Sequence, residues 1–379
     1  MKPIRVINVF TSGNSADMSV WSNIPYLLCQ TLERKGYTVN RINYASMRNP
    51  YIEKFIWLCD FIYRHIDRKH GKGYLYAKLY YACVDRKIAR AAAKYPADLN
   101  ICPYNCRNHC STQPTLLLGD WTQEYLYRTR LKTEPQGFQK FYAKRQDEII
   151  EQSDFVVSLF PVCAADMQAH YHNPHIFYLG QNVVNNVCDT PLDEETICRQ
   201  KGRSHKILFV GKIHYIEAAR QLIGIFDRLT AVYPDAELDI IGLTRQELGD
   251  TLPERIRCHG YLNKSRVQER VLYYRMMSEA SLFVNTTPLW GGYSSTIEAM
   301  YFYTPIIISP YGDFTTEFGT QIPFGNYCNQ LDADALFRSV CEVFDTGDYR
   351  AKCLAAHAAV EKYTWDNYVD RLLAVVEQA

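Results

Sequence analysis

Short, nearly continuous apolar runs recur along this chain, each closed by a turn and separated from the next by helix-like sequence. A strand that is apolar on both faces must be covered on both, and a parallel sheet with helices on each face does this. The first forty residues supply one such unit. Ile4–Phe10 reads as a strand and Thr11–Ser19 as a polar loop carrying Gly13. Ile24, Leu27, Leu28, Thr31 and Leu32 then fall at helical spacing, with Pro25 tolerated in the first turn and Gly36 beyond the end. Tyr37–Tyr44 is the next strand. Leu99–Cys102, Thr115–Leu118 and Phe155–Phe160 follow, with a long helix around Gln139–Glu151 before the last of them.

The stretch Asn185–Lys206 is polar and breaks the periodicity, so residues 185–205 are expected to form a linker. The rhythm then resumes with strands at Ile207–Val210, Leu238–Ile241, Ile256–His259 and Leu282–Asn285, and with a helix marked by Leu222, Ile223, Phe226 and Leu229. At 379 residues the chain exceeds the size at which one core keeps growing. An α/β protein of two Rossmann-like domains, 1–184 and 206–364, is expected. No apolar run reaches the roughly 20 residues of a membrane-spanning helix. Met1–Phe10 is too short and too polar for a secretory signal, so a cytoplasmic protein is expected. A net charge of +1 points to no nucleic-acid partner.

The 13 cysteines are scattered, and several, such as Cys29, Cys59 and Cys341, sit in apolar segments, as reduced buried thiols do. Cys102, Cys106 and Cys110, with His109, are spaced more widely than zinc-ribbon pairs and have no second cluster to complete a ligand set. They read as a turn-rich loop with free thiols, and no metal is expected. His170, His172 and His175 surround Pro174 and read as surface residues.

The segment Ser281–Ser309 carries the chemistry. A buried strand ends in a turn holding Pro288, Gly291 and Gly292, a helix begins near Ser294–Thr296, and a second buried strand, Pro305–Ile308, follows. A glycine-rich turn that opens a helix beyond a strand end presents unpaired backbone N–H groups, which suits a diphosphate. Glu298, on the first turn of that helix, is placed to meet hydroxyls of the same ligand. The pattern Ser295-x-x-Glu298 equally fits a capping box with no ligand.

This segment resembles the C-terminal signature of the retaining GT-B glycosyltransferases, specifically glycosyltransferase family 4. KILFVGKI (Lys206–Ile213), YPDAELDIIG (Tyr233–Gly242) and IRCHGYL (Ile256–Leu262) resemble the family's donor-domain strands in order and spacing. NVFTSGN (Asn8–Asn14) resembles its first-strand loop, and YLGQNVV (Tyr178–Val184) the approach to the hinge. The resemblance implies two Rossmann-like domains with parallel sheets facing across a cleft, and a last helix, 365–379, crossing back onto the first domain. It implies transfer of sugar from a nucleotide-sugar donor such as a UDP-sugar, with retention and without a metal or other cofactor. Glu298 would bind the donor ribose and Lys212 would neutralise the leaving phosphates, these two being the catalytic pair. Trp290, Gly291, Gly292, Tyr293, Ser294, Ser295 and Thr296 would hold the diphosphate and sugar. Tyr261 and Leu262 would contact the base, with Gly13 and Gly211 lining the donor.

Two positions depart from that pattern. Trp290 stands where the family usually has a sugar-binding glutamate, and Glu217 where it has a second basic residue, for which Arg220 or His214 are candidate substitutes. A non-catalytic nucleotide- or sugar-binding homologue is therefore the alternative. The acceptor, a glycan, a lipid-linked sugar or a small molecule, is expected on the N-terminal domain, with Asn14 and Asp120 as candidate contacts. Asp120 also fits a helix cap or turn residue. Residues 64–94 hold nine lysines and arginines against Asp67 and Asp85, interleaved with tyrosines. That stretch suits either a solvated helical face or an anionic membrane surface, the latter as a peripheral contact.

Overall fold

The apolar runs form the strands they predict. The structure is a computed structural model and describes residues 3–45, 54, 57–58, 61, 78–106, 113–136, 138–180, 192–249, 251–288, 293–329 and 332–378. Two compact units divide the chain: Met1–Gln181 with Tyr368–Ala379, and Asn182–Asn367.

In the first unit, β1 (Val6–Thr11), β2 (Thr38–Asn43), β3 (Leu99–Pro103), β4 (Thr115–Gly119), β5 (Phe155–Ser158) and β6 (Ile176–Tyr178) form one parallel sheet. Its order, β2-β1-β3-β4-β5-β6, reverses direction between β1 and β3, where open α/β sheets leave a crevice at the strand ends. Three asparagines interrupt the apolar runs and meet one another. Asn40 Nδ2 donates to Asn8 Oδ1 at 2.9 Å, and Asn8 Nδ2 donates to Asn100 Oδ1 at 3.0 Å. Their positions are opposed in the register of β2, β1 and β3, so these satisfied amides help fix that register. The sheet is flanked by α1 (Ile24–Arg34), α2 (Lys78–Lys94), α3 (Phe138–Gln152) and α4 (Pro161–His170). In α1 the residues at helical spacing, including Leu27, Leu28 and Leu32, are the buried ones.

The second unit does not begin as a plain linker. Residues 182–191 lie outside the described residues, but Glu194–Lys201 forms a helix, α5, where irregular chain was expected. Ile197 and Cys198 pack against Tyr303 and Cys353, which is what holds so polar a helix in place. At its end the fully buried Lys201 ammonium donates to Met277 O at 3.2 Å, Ala280 O at 2.5 Å and Thr304 Oγ1 at 2.9 Å.

Beyond α5, β7 (Lys206–Val210), β8 (Glu237–Ile241), β9 (Ile256–Gly260), β10 (Leu282–Asn285), β11 (Ile306–Ile308) and β12 (Gly325–Tyr327) form a second parallel sheet in the order β12-β11-β10-β7-β8-β9. The helix expected across Leu222–Leu229 is two helices, α6 (Ile216–Gly224) and α7 (Phe226–Val232), joined through Ile225. α8 (Val267–Glu279) and α9 (Ser294–Tyr301) precede β10 and β11. The last helix, α10 (Trp365–Glu377), groups from Tyr368 onward with the first unit, where Asp370 pairs with Lys35 at 2.7 Å. No helix among the described residues is long and apolar enough to cross a membrane.

Candidate functional site

The C-terminal ends of β7, β8 and β9 meet through glycine. Gly211 follows β7, and its N–H donates to Ile241 O at 2.9 Å. Gly242 follows β8 with φ +98°, and a Cβ there would lie 2.4 Å from the Gly211 carbonyl oxygen. A Cβ on Gly211 would come within 2.7 Å of Tyr215 Cβ. Neither position tolerates a side chain, and the close approach delivers the next residue, Lys212, to the sheet edge. Lys212 is exposed, and its ammonium lies 4.5 Å from the ring centroid of Tyr261, the residue after β9. It makes no ion pair among the described residues.

Glu298 lies deeper. Its helix α9 is capped at Tyr293 without a side-chain bond, so Glu298 is the fifth helical residue. It is therefore neither on the first turn, as the sequence suggested, nor the N3 partner of a capping box. Its side chain is 3% exposed and is claimed from another direction. Lys264 Nζ donates to Oε1 at 2.9 Å and to Oε2 at 3.1 Å, and the Tyr273 hydroxyl donates to Oε2 at 2.8 Å. The same ammonium sits 4.0 Å from the Tyr273 ring centroid and 5.1 Å from that of Tyr274. Burial pulls the Lys264 ammonium below the ordinary lysine range, and the Glu298 charge opposes that shift. A carboxylate offers about four lone-pair positions, so one acceptor position remains for a further donor.

One short loop after β9 thus serves both groups, with Tyr261 beside Lys212 and Lys264 on Glu298, and the half-buried Leu262 between them. Ser294, Ser295 and Thr296 are the first three residues of α9, whose N–H groups have no partner within the helix. Tyr293 is buried, its ring edge-on to Phe314 at 5.3 Å, so its side chain belongs to the core. Trp290, Gly291 and Gly292 lie outside the described residues. Glu217, the acid at an expected basic position, is ion-paired with Arg220 at 2.8 Å. Arg220 is therefore spent on Glu217 rather than standing in as a second phosphate cation.

In the N-terminal unit the candidate residues separate. Gly13 lies in the loop after β1, its carbonyl accepting from the Thr11 hydroxyl at 2.6 Å. Asn14 is exposed and closes a local turn by accepting the Ala16 N–H at 3.0 Å; it does not line the neighbouring pocket. Asp120 does line that pocket, whose volume is about 330 Å³. It caps nothing, since Thr122 accepts the Tyr125 N–H at 3.1 Å instead. Trp21 Nε1 donates to Asp120 Oδ2 at 2.9 Å, and burial raises this carboxyl above the usual carboxylate range. Cys102 and Cys106 are buried, and burial pushes the Cys102 thiol up; Cys110 and His109 lie outside the described residues. Among the described residues, no three His, Cys, Asp or Glu side chains group to hold a metal ion.

Two Rossmann-like units built on parallel six-stranded sheets, the second with glycine turns at the strand ends beside Lys212, give this chain the GT-B fold. Sucrose-phosphate synthase of Thermosynechococcus elongatus is similar with a TM-score of 0.66 at 15% identity, over 99% of this chain and 98% of that one. HepE of Anabaena, solved with UDP, is similar with a TM-score of 0.60 at 12% identity, over 99% and 100%. A Listeria monocytogenes structure assigned as a UDP-N-acetylglucosamine 2-epimerase has a TM-score of 0.58 at 13% identity, over 100% and 96%. At these identities the likeness is one of fold. No family model matches the chain, and no curated protein matches it in sequence.

Proposed function

We propose that this protein is a retaining, metal-independent glycosyltransferase that draws on a nucleotide diphosphate sugar and passes the sugar to a glycan, a lipid-linked sugar or a small molecule. The observation that carries the reading is the loop after β9, which places Tyr261 at the unpaired Lys212 and Lys264 on the buried Glu298. Departure of a nucleoside diphosphate builds negative charge. An ammonium without a carboxylate partner and the free N–H groups of a helix start stabilise that charge without a metal. Glu298, fixed by Lys264 and Tyr273, offers its remaining acceptor position to a ribose hydroxyl. Positioning of the two substrates supplies the rest, with the departing phosphate taking the acceptor's proton. HepE and the other GT-B structures solved with UDP lend support by analogy of fold.

The non-catalytic alternative rests on Trp290 and Glu217. Arg220 balances the Glu217 charge but leaves the second phosphate cation missing, so both positions still favour it. The test is calorimetric titration with UDP and GDP, then turnover of UDP- and GDP-sugars in EDTA. Nucleotide binding that Glu298→Ala weakens at least tenfold, with transfer or slow donor hydrolysis, is expected. Binding without turnover across a broad acceptor panel would leave a binding protein. Conversion of the sugar on the nucleotide would leave an epimerase. Unchanged affinity in Glu298→Ala would remove that residue from the site.

A further inference from the structure

The pocket in the N-terminal unit has a composition that selects its occupant. It lies at the C-terminal ends of β1, β3 and β4, beside the reversal of strand order, and its lining runs from Phe10 and Thr11 through Pro103 to Gly119. Three polar groups in it are held by the fold yet keep capacity to spare. Gln146 is 3% exposed; its Oε1 accepts the Gln123 N–H at 2.6 Å, and its Nε2 has no partner among the described residues. Asn105 accepts from the Tyr44 hydroxyl at 3.3 Å through Oδ1, which leaves Nδ2 as a donor. Asp120 accepts from Trp21 through Oδ2 and keeps Oδ1 as an acceptor. These three groups thus offer two amide donors and one carboxyl acceptor, the mixture that hydroxyl groups satisfy, since each hydroxyl both donates and accepts.

Much of the remaining wall is aromatic, with Thr11, Ser12 and Gln123 adding polar edges. Tyr142 lines it with its ring stacked on Tyr81 at 5.2 Å. Trp21 is half-exposed, lines the pocket and stacks on no aromatic partner among the described residues. It is held there at a cost. Trp21, Ser22 and Asn23 have φ of 41°, 53° and 69°, three successive non-glycine residues in the left-handed region. Strain of that kind persists where the surroundings enforce it, and here it sets an indole against a carboxyl group. No lysine, arginine or histidine lines the pocket among the described residues. The Arg130 guanidinium covers Trp121 at 4.7 Å and is not part of the lining. Among the described residues, a phosphate here would meet Asp120 and no cation.

We propose that this pocket is a subsite for an uncharged saccharide ring, held by Asp120, Asn105 and Gln146 against Trp21, and that it discriminates against phosphorylated sugars. Its role as the acceptor subsite rests on the glycosyltransfer reading above; its affinity for a neutral sugar stands independently of it. Of the acceptor classes open to this protein, it favours a glycan end or a free sugar over an acceptor whose phosphate would enter the pocket.

The test is ligand-observed NMR on the full chain without nucleotide. The probes are glucose, N-acetylglucosamine, galactose, glucose 6-phosphate and inorganic phosphate, with UDP titrated separately. At least one neutral sugar is expected to bind, and glucose at least tenfold more tightly than glucose 6-phosphate. Gln146→Leu and Asp120→Ala are each expected to weaken the neutral sugar at least tenfold without changing UDP affinity. Asn105→Lys, which inserts a cation at the cost of the acceptor for the Tyr44 hydroxyl, is expected to shift preference toward glucose 6-phosphate. Tighter binding of glucose 6-phosphate or phosphate to the unaltered chain overturns the proposal. So does the absence of any neutral-sugar signal, or neutral-sugar binding indifferent to all three substitutions. Failure of UDP to bind counts against the donor reading alone and leaves this subsite standing.

Discussion

Replacing Lys264 with methionine removes one half of a buried ion pair and leaves the other. At about 3 Å and an effective dielectric constant of about 20, two unit charges attract by roughly 5–6 kcal/mol. Burying both ions costs several kcal/mol each, so the pair as a whole adds little over an apolar replacement of both. Deleting one partner is different, because the survivor remains buried, at a typical cost of about 3–5 kcal/mol. Glu298 is 3% exposed and would keep only the Tyr273 hydroxyl of its three contacts. That surviving bond places Lys264→Met near the lower end, at about 3 kcal/mol. Glu298→Gln leaves the lysine with a neutral acceptor, and an ammonium already weakened by burial can shed its proton, so about 2 kcal/mol is expected. The double substitution removes both charges and should cost no more than about 2 kcal/mol, a coupling of roughly 3 kcal/mol.

Because the chain has two units, a single unfolding midpoint would blur this cycle. Hydrogen exchange of the α8 and α9 amides, read with urea denaturation for the four proteins, reports the unit concerned. Lys264→Met should also weaken UDP at least tenfold, since the ribose acceptor loses its support, while Lys264→Arg should restore part of both effects. Additivity within about 0.5 kcal/mol would refute the coupling and with it the view that Lys264 positions Glu298.

Lys212→Ala should reduce UDP affinity by about 1.5–3 kcal/mol, while uridine, which has no phosphate, binds as before; equal losses for both in calorimetry would move Lys212 away from the phosphates. Lys201, pushed down to about 7 by burial from an ordinary 10.5, has a folded value below its unfolded one. Between those limits the unfolded chain binds more protons, so stability relative to Lys201→Met should rise with pH by up to about 1.4 kcal/mol per unit; a pH-independent difference in urea unfolding would contradict it. Gly242→Ala should cost more than about 2 kcal/mol of stability, because φ is +98° and the added Cβ lies 2.4 Å from the Gly211 oxygen. An unaltered melting temperature would mean that β7 and β8 do not approach as closely as described. Arg86, Arg90 and Lys94 are exposed at four-residue spacing on α2, and Trp57 is 65% exposed. If they serve an anionic membrane, changing the three cations to glutamine should lower co-sedimentation with phosphatidylserine vesicles by about 1 kcal/mol per charge. No difference between the two proteins would leave a solvated face.

The central strands were legible because their signal is local. Ile306–Ile308 is β-branched throughout and buried on both faces, so its burial needs no partner to be guessed. The edge strands β6 and β12 carry no such signal: each has three residues, two of them only half-buried. The helix α5 was hidden for a related reason. Glu194–Lys201 is almost wholly polar, and what orders it are contacts to Tyr303 and Cys353 far along the chain. Lys201 reads as a solvent-facing charge, yet it is buried against carbonyls 76 and 79 positions away.

The same limit governs the site. From the residues around it, Glu298 fits a capping box and a ligand site equally, because Ser295 and Glu298 are all that the local pattern contains. The capping box is ruled out by Lys264 and Tyr273, 34 and 25 positions earlier, which bring three hydrogen bonds to the carboxylate. A capping glutamate is needed at the helix start and turns back to the backbone there. This one lies on the fifth helical residue, turned toward the loop after β9. A buried carboxylate with one acceptor position open is worth its desolvation only if something is bound there or the pair holds the fold. The double-mutant cycle and the UDP titration separate those two cases, since a purely structural pair would couple in stability and leave nucleotide affinity unmoved.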